Sequence, residues 1–155
     1  MADYRHLKAW QKAYRLVLDV YAATASFPSE ERFGLVSQSR RAAVSIAANV
    51  AEGAGRGGGG EFTRFLWIAR GSLTELVTLL SLGRDLGYLP PEPAASLVAT
   101  AEEVGRMVMG LLKARGAVPR RDDPSGASLT PQDSGLTPTS RQTTARAPAT
   151  PRSSA

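Results

Sequence analysis

The sequence contains no cysteine and only one histidine, His6, among its 155 residues. The lack of cysteine excludes disulfide-stapled folds, thiolate zinc sites and cysteine nucleophiles. A single histidine provides too few ligands for a multi-histidine metal site, and it leaves little basis for a Ser-His-Asp triad. We therefore expect no metal, no cofactor and no enzymatic activity.

Long apolar runs are also lacking. No stretch reaches the roughly 18 uninterrupted apolar residues of a membrane span. The first residues carry charges without the apolar segment of a signal peptide. Aromatic residues make up 6% of the chain, so the core is expected to consist mainly of aliphatic and alanine side chains. From these features we expect a cytoplasmic protein with no membrane partner.

The composition changes near Gly116. Residues 117–155 are rich in proline, serine and threonine and contain no aromatic residue. Such a segment cannot bury enough apolar surface to offset its ordering entropy. The sequence therefore predicts a folded domain over residues 1–116 and a disordered tail over residues 117–155.

Four segments of the predicted domain show the apolar spacing of three and four residues that is typical of amphipathic helices. They cover residues 7–21, 34–54, 61–86 and 93–114. Prolines and glycines separate the segments, and no run alternates with the period of a strand. Short connections between long helices predict an all-α fold, an antiparallel up-down four-helix bundle.

The same spacing predicts which helix faces form the core. In the first helix the expected core face comprises Leu7, Trp10, Tyr14, Val17, Leu18 and Tyr21. In the third helix it comprises Phe62, Phe65, Leu66, Ala69, Leu73, Leu76 and Leu80. A second apolar line on the third helix contains Ile68, Leu79, Leu82 and Leu86. A single bundle core buries one face of a helix well. We therefore expect this second apolar line to contact another subunit or a partner.

A polar stripe follows the edge of the predicted core on the second helix. Its members, spaced by three and four residues, are Gln38, Arg41, Ser45, Asn49 and Glu52. Glu75 interrupts the second apolar line of the third helix, where Arg41 could serve as its partner. We interpret the set as a structural polar network that fixes helix register or a subunit contact. The alternative is an acid–base pair formed by Glu52 and Glu75.

The excess of basic residues indicates an acidic partner. Lysine and arginine total 19 against 14 acidic residues, which gives a net charge of +5. Lys8, Lys12 and Arg15 share one face of the first helix, and Arg40 lies near the start of the second. Clustered cations can neutralise phosphates, although a charged helix face is also common as plain solvent-exposed surface. Residues 53–58 match G-x-G-x-x-G, but a helix precedes them, so we interpret them as a loop.

Several ordered motifs resemble one bacterial family. Residues 33–53 read FGLVSQSRRAAVSIAANVAEG, and residues 69–76 read ARGSLTEL. Shorter matches are LKAWQ, FPSEE, EFTRFL and LGYL. Over about residues 4–114 the chain resembles the bacterial four-helix-bundle family, also called 23S rRNA-intervening sequence proteins. The matching signature positions are Arg41, Ser45, Asn49, Glu52, Gly53, Gly71, Ser72 and Glu75.

The resemblance implies a left-handed up-down bundle that usually forms a homopentamer and has no established enzymatic activity. A related branch, the accessory proteins of diversity-generating retroelements, binds a reverse transcriptase and nucleic acid. We therefore expect an oligomeric, non-enzymatic protein that binds structured RNA or DNA through Lys8, Lys12, Arg15 and Arg40. The alternative is an accessory module for a protein partner such as a reverse transcriptase.

Overall fold

The computed structural model describes residues 3–118, and these residues form a bundle of four helices. The helices are α1 (Lys8–Ala23), α2 (Leu35–Gly55), α3 (Gly59–Asp85) and α4 (Pro91–Ala114). Short 3₁₀ turns precede α1 and connect it to α2. Residues 3–118 contain no strand, and the predicted all-α fold is confirmed.

The helices are arranged as an antiparallel up-down square. α1 packs against α2 and α4, and α3 packs against the same two helices. Because each connection is short, each helix runs back beside the preceding one. One end of the bundle therefore holds the start of α1, the α2–α3 loop and the end of α4.

The α2–α3 pair forms the most extensive helix contact, and small side chains allow it. Ala42 and Ile46 are buried on α2, and Gly53 lies directly against α3. A Cβ atom added to Gly53 would lie 2.8 Å from both Phe62 Cδ2 and Phe65 Cβ. Real Cβ atoms do not approach other atoms this closely, so glycine is required here for steric reasons.

The predicted core face of α3 is confirmed, because all seven of its members are buried. The prediction for α1 is wrong for three residues, since Tyr14, Leu18 and Tyr21 are 51%, 49% and 44% exposed. The buried face of α1 instead contains Ala9, Ala13, Leu16 and Val20. Both sets satisfy helical spacing, and the smaller residues fit the close contact with the alanine-rich α2.

The glycine-rich segment is more helical than the sequence indicated. Gly55 is the last residue of α2, and Gly59 is the first of α3, so only residues 56–58 interrupt the helices. Gly57 has φ +71°, a backbone conformation that favours glycine and lets the chain reverse its direction. Gly59 and Gly60 occupy the first turn of α3, where the backbone of Phe62 already donates to Gly58 O at 3.0 Å.

The reversal between α3 and α4 is fixed by hydrogen bonds from the connection back to the end of α3. The amides of Tyr88 and Leu89 both donate to Gly83 O, at 2.9 and 3.0 Å. Gly87 has φ +78°, which ends α3 in a left-handed cap. The ring of Phe27 packs close to Gly83 and Tyr88, so the α1–α2 and α3–α4 connections support each other.

The first two residues of the predicted tail, Ala117 and Val118, belong to the described part of the chain and pack against the bundle. Gly116 has φ +67°, and the amide of Ala117 donates to Leu112 O at 3.0 Å. Ala117 and Val118 are half-buried against the core. The rest of the predicted tail, residues 119–155, lies outside the described residues.

Within residues 3–118, α3 is the one helix that is long and apolar enough to cross a membrane, by length and composition only. It has 27 residues, and its most apolar window has a mean hydropathy of 1.3. Nine of its residues are buried in the bundle. The central helix of a core meets the same criterion, so the composition of α3 is weak support for a membrane span.

The fold predicts opposite effects for two glycine substitutions. Gly53→Ala should lower the free energy of unfolding by about 1–3 kcal/mol, because the added methyl group overlaps Phe62 and Phe65. Gly110→Ala should raise it by up to about 1 kcal/mol, because nothing lies within 4 Å of its added Cβ. Urea unfolding of both variants tests this, and a Gly53→Ala protein as stable as the wild type would contradict it.

Candidate nucleic-acid and subunit interfaces

The polar stripe of α2 forms two small clusters and not one continuous network. In the first, Arg41 Nη2 donates to Gln38 Oε1 at 2.7 Å and to Glu75 Oε1 at 3.0 Å. This pair joins α2 to α3 as predicted, but its side chains are exposed. An exposed ion pair adds little stability, so this pair contributes little to holding the two helices together.

The second cluster lies deeper in the α2–α3 contact. The hydroxyls of Ser45 and Ser72 are 2.9 Å apart, and Asn49 Nδ2 donates to the backbone O of Ser45 at 2.7 Å. Ser72 also donates to Ile68 O at 3.2 Å. These bonds satisfy polar groups at the place where the helices approach closely, which agrees with a structural role in helix register.

Glu52, the last member of the polar stripe, takes no part in either cluster. Arg56 Nε donates to Glu52 Oε1 at 3.1 Å, whereas Glu75 pairs with Arg41. Arg41 and Glu52 are eleven residues apart on α2, which corresponds to about 16 Å along its axis. The two carboxylates therefore do not form an acid–base pair, and that alternative interpretation of the stripe is wrong.

The four predicted nucleic-acid-binding residues do not form one surface. Lys12 pairs with Glu103 on α4, and Arg15 Nε donates to Asp19 Oδ1 at 3.2 Å. Arg40 lies on the other side of α1, where its Nε donates to Thr24 Oγ1 at 2.9 Å. Its guanidinium also stacks 4.6 Å from the ring centroid of Tyr21. Lys8 is exposed, and no carboxylate of residues 3–118 pairs with it.

The fold instead separates charge along the bundle. We define the cationic half as residues 3–15, 46–72 and 103–118, the half that contains the α2–α3 loop. It carries ten basic and four acidic side chains, whereas the other described half carries four basic and seven acidic ones. Periodicity within single helices could not show this, because the asymmetry depends on which helix ends share an end of the bundle.

Several cations of the cationic half have no carboxylate partner among residues 3–118. Glu52 and Glu61 pair with Arg56, and Glu103 pairs with Lys12. Among residues 3–118, no carboxylate forms an ion pair with Arg70, Arg106, Lys113 or Arg115. Sequence patterns could not single out these four residues, because Arg70 lies on α3 whereas the other three lie on or directly after α4, and only the fold brings these helices together.

A groove between α3 and α4 brings three of these cations together. It has a volume of about 620 Å³ and an apolar floor that includes Leu73, Val77 and Met109. Its polar and charged lining residues are Arg70, Thr74, Thr78, Glu102, Arg106 and Lys113. Gly105 and Gly110 of α4 also line the groove, and because they have no side chains they leave space between the two helices. We call this feature the α3–α4 groove.

The second apolar line of α3 is mostly exposed. Ile68, Leu82 and Leu86 lie on the surface, whereas Leu79 is half-buried and packs against the core. On the other side of α2, Tyr14, Leu18 and Tyr21 of α1 are exposed together with Val44 of α2. Two apolar surfaces therefore flank α2. The sequence predicted the second apolar line of α3 but not the exposed face of α1.

Other polar features of residues 3–118 do not form a chemical site. No group of three or more His, Asp or Glu side chains in this part of the chain could hold a metal ion. The hydrogen bond from Arg84 lowers the pKa of Asp85 and raises that of Arg84. This pair is at the protein surface, next to the α3–α4 connection, and it does not line the α3–α4 groove.

Comparison with known proteins identifies the fold and the family. The structure is similar to the crystal structure of a protein with unknown function from the S23 ribosomal protein family of Bacteroides thetaiotaomicron VPI-5482. The TM-score is 0.62 at 20% identity, and the match covers 68% of this chain and 98% of that one. No curated protein matches the sequence. The family model described as 23S rRNA-intervening sequence protein matches residues 5–110. Because that match spans nearly all of the four helices, the chain belongs to the 23S rRNA-intervening sequence protein family.

Proposed function

We propose that this protein is a non-enzymatic, oligomeric helical bundle that binds structured RNA or other nucleic acid through its cationic half. The observation that carries this proposal is the excess of ten basic over four acidic side chains in that half. Phosphate backbones dominate the affinity of nucleic-acid binding, and they are neutralised by such clustered lysines and arginines.

The length of the bundle makes this local excess more relevant than the net charge. α3 has 27 residues and extends about 40 Å. The Debye length at physiological ionic strength is about 8 Å, so charges at one end are screened from those at the other. A phosphate backbone near the cationic half therefore experiences little repulsion from the acidic end.

The polar side chains support a binding role over a catalytic one. Glu52 and Glu75 lie apart, and each pairs with an arginine. The chain has no cysteine, and its one histidine, His6, is exposed near Asp3. The cytoplasmic location expected from the sequence is part of the same proposal.

Self-association is the second part of the proposal. The second apolar line leaves Ile68, Leu82 and Leu86 exposed, and surfaces of this kind mark protein contacts. The contact between Arg41 and Glu75 borders this surface and adds polar specificity to it. The family resemblance suggests a closed ring of five copies, which would place five cationic halves in one assembly.

A protein partner is the alternative interpretation of the same surfaces. The exposed apolar face of Tyr14, Leu18, Tyr21 and Val44 lies across α2 from the second apolar line. One copy could use one face for self-association and the other for a partner such as a reverse transcriptase. Under this alternative, the protein acts as an accessory module whose nucleic-acid contacts come mainly from its partner.

Removing two cations from the α3–α4 groove should weaken nucleic-acid binding. Arg106→Gln combined with Lys113→Gln should reduce affinity for a structured RNA and lower the slope of log affinity against log salt by up to about two units. Fluorescence anisotropy with a labelled RNA hairpin at several salt concentrations measures both quantities.

The matched control removes two cations from the other half of the bundle. Arg32→Gln combined with Arg84→Gln changes the net charge equally, so its salt slope should stay close to that of the wild type. Equal slopes for the two double variants would show that only net charge matters. Absence of RNA and DNA binding by the wild type at low salt would favour the alternative of a protein partner.

Charge in the second apolar line should dissociate the oligomer. Leu82→Lys combined with Leu86→Lys places two cations on an exposed apolar surface without entering the core of the monomer. Sedimentation velocity should show a smaller species with unchanged helical circular dichroism. Leu79 is a poorer target, because it packs against the core. A wild-type protein that sediments as a monomer would contradict the proposed assembly.

A further inference from the structure

Trp67 is a large aromatic residue on the surface of the cationic half, and neither the core nor the second apolar line uses it. It is 43% exposed on α3. The other tryptophan, Trp10, is half-buried and packs against the rings of Tyr4 and Tyr14, with centroids 5.1 and 5.2 Å away. An exposed indole presents a large aromatic surface with a polar N–H at its edge.

Cations flank Trp67 at helical spacing. Arg64 precedes it by three residues and Arg70 follows it by three, and such residues are neighbours on a helix surface. Arg64 lies 3.9 Å from Glu61, whereas no carboxylate of residues 3–118 pairs with Arg70. Arg70 also lines the α3–α4 groove together with Arg106 and Lys113. Arg70 is therefore both a lining residue of the groove and a helical neighbour of Trp67.

Gly71 leaves space beside the indole. It follows Trp67 by four residues, the position whose side chain would normally cover the C-terminal side of that ring, because helical side chains lean towards the N-terminus. A Cβ added to Gly71 would meet nothing within 4 Å. Gly71 therefore leaves the indole uncovered on one side of α3, and Arg70 lies on the other side of the ring.

We propose that Trp67 is a base-stacking residue for single-stranded nucleic acid, with Arg70 and the cations of the α3–α4 groove holding the adjacent phosphates. This inference rests on the proposed function and specifies the form of its ligand. An exposed aromatic ring beside unpaired cations is how proteins bind single strands with little sequence preference. Bases in a duplex are already stacked on each other, so only an unpaired base can use the indole face.

Charge favours nucleic acid over a protein partner at this position. A hydrophobic contact with a protein would be served equally well by Tyr14, an exposed ring on α1. The helical neighbours of Tyr14, at three and four residues to either side, are all uncharged, whereas Trp67 has two arginines. Tyr14 is therefore the matched control for an exposed aromatic residue without flanking cations.

The test uses tryptophan fluorescence in the full-length chain. In a Trp10→Phe background, Trp67 is the sole tryptophan and reports on its own surroundings. Titration with oligo(dT) of about 12 nucleotides, within the range of single-strand site sizes, should quench this emission. A blunt DNA duplex of the same length should bind more weakly and quench less.

Binding affinities then separate stacking from charge. Trp67→Ala should weaken oligo(dT) binding by about 5- to 150-fold, the range expected for the loss of one stacked base. Trp67→Phe should retain part of the affinity, and Tyr14→Ala should bind like the wild type. Circular dichroism and sedimentation of each variant check that the fold and the assembly are unchanged.

The outcomes distinguish this inference from the proposed function. If Trp67→Ala binds oligo(dT) as well as the wild type while Arg106→Gln combined with Lys113→Gln weakens binding, the stacking role is wrong and the phosphate contacts remain. Equal competition by poly-glutamate would show that charge alone determines binding, which also overturns stacking. If neither oligo(dT) nor RNA binds at low salt, the proposed function itself fails.

Discussion

The close approach of α2 and α3 is the constraint on which the other features of the bundle depend. Gly53 allows it, since a larger residue would overlap Phe62 and Phe65. The same contact brings the hydroxyls of Ser45 and Ser72 within 2.9 Å of each other. Because the α2–α3 contact is so extensive, the register of α3 is fixed against α2, and the residues on the outer side of α3 have defined positions.

The contacts of α3 with α4 and of α1 with α2 are less extensive, and that difference creates the groove and the exposed apolar face of α1. Between α3 and α4, Gly105 and Gly110 leave a groove of about 620 Å³ that is bordered by three cations. Between α1 and α2, the larger side chains of α1 remain outside, because the buried face of α1 uses Ala9 and Ala13. Small residues thus bring helices together at one contact and leave open space at another.

The charged residues make the two ends of this otherwise regular bundle different. All four acidic residues of the cationic half form ion pairs, and Arg70, Arg106 and Lys113 have no carboxylate partner among residues 3–118. Screening over about 8 Å at physiological salt separates the two ends of helices that extend for about 40 Å. The modest net charge of the chain is therefore a poor guide to the potential that a phosphate backbone would meet at either end.

Residue spacing was sufficient to predict the helical class, the number of helices, the core face of α3 and the pairing of Arg41 with Glu75. These features follow from local periodicity, since residues three and four apart share a helix face. Spacing could not decide the buried face of α1, because large and small residues there satisfy the same period. It also could not identify Arg70, Arg106 and Lys113 as neighbours, or separate Glu52 from Glu75. Those relations join different helices, and only the packing of α3 against α2 and α4 decides which residues meet.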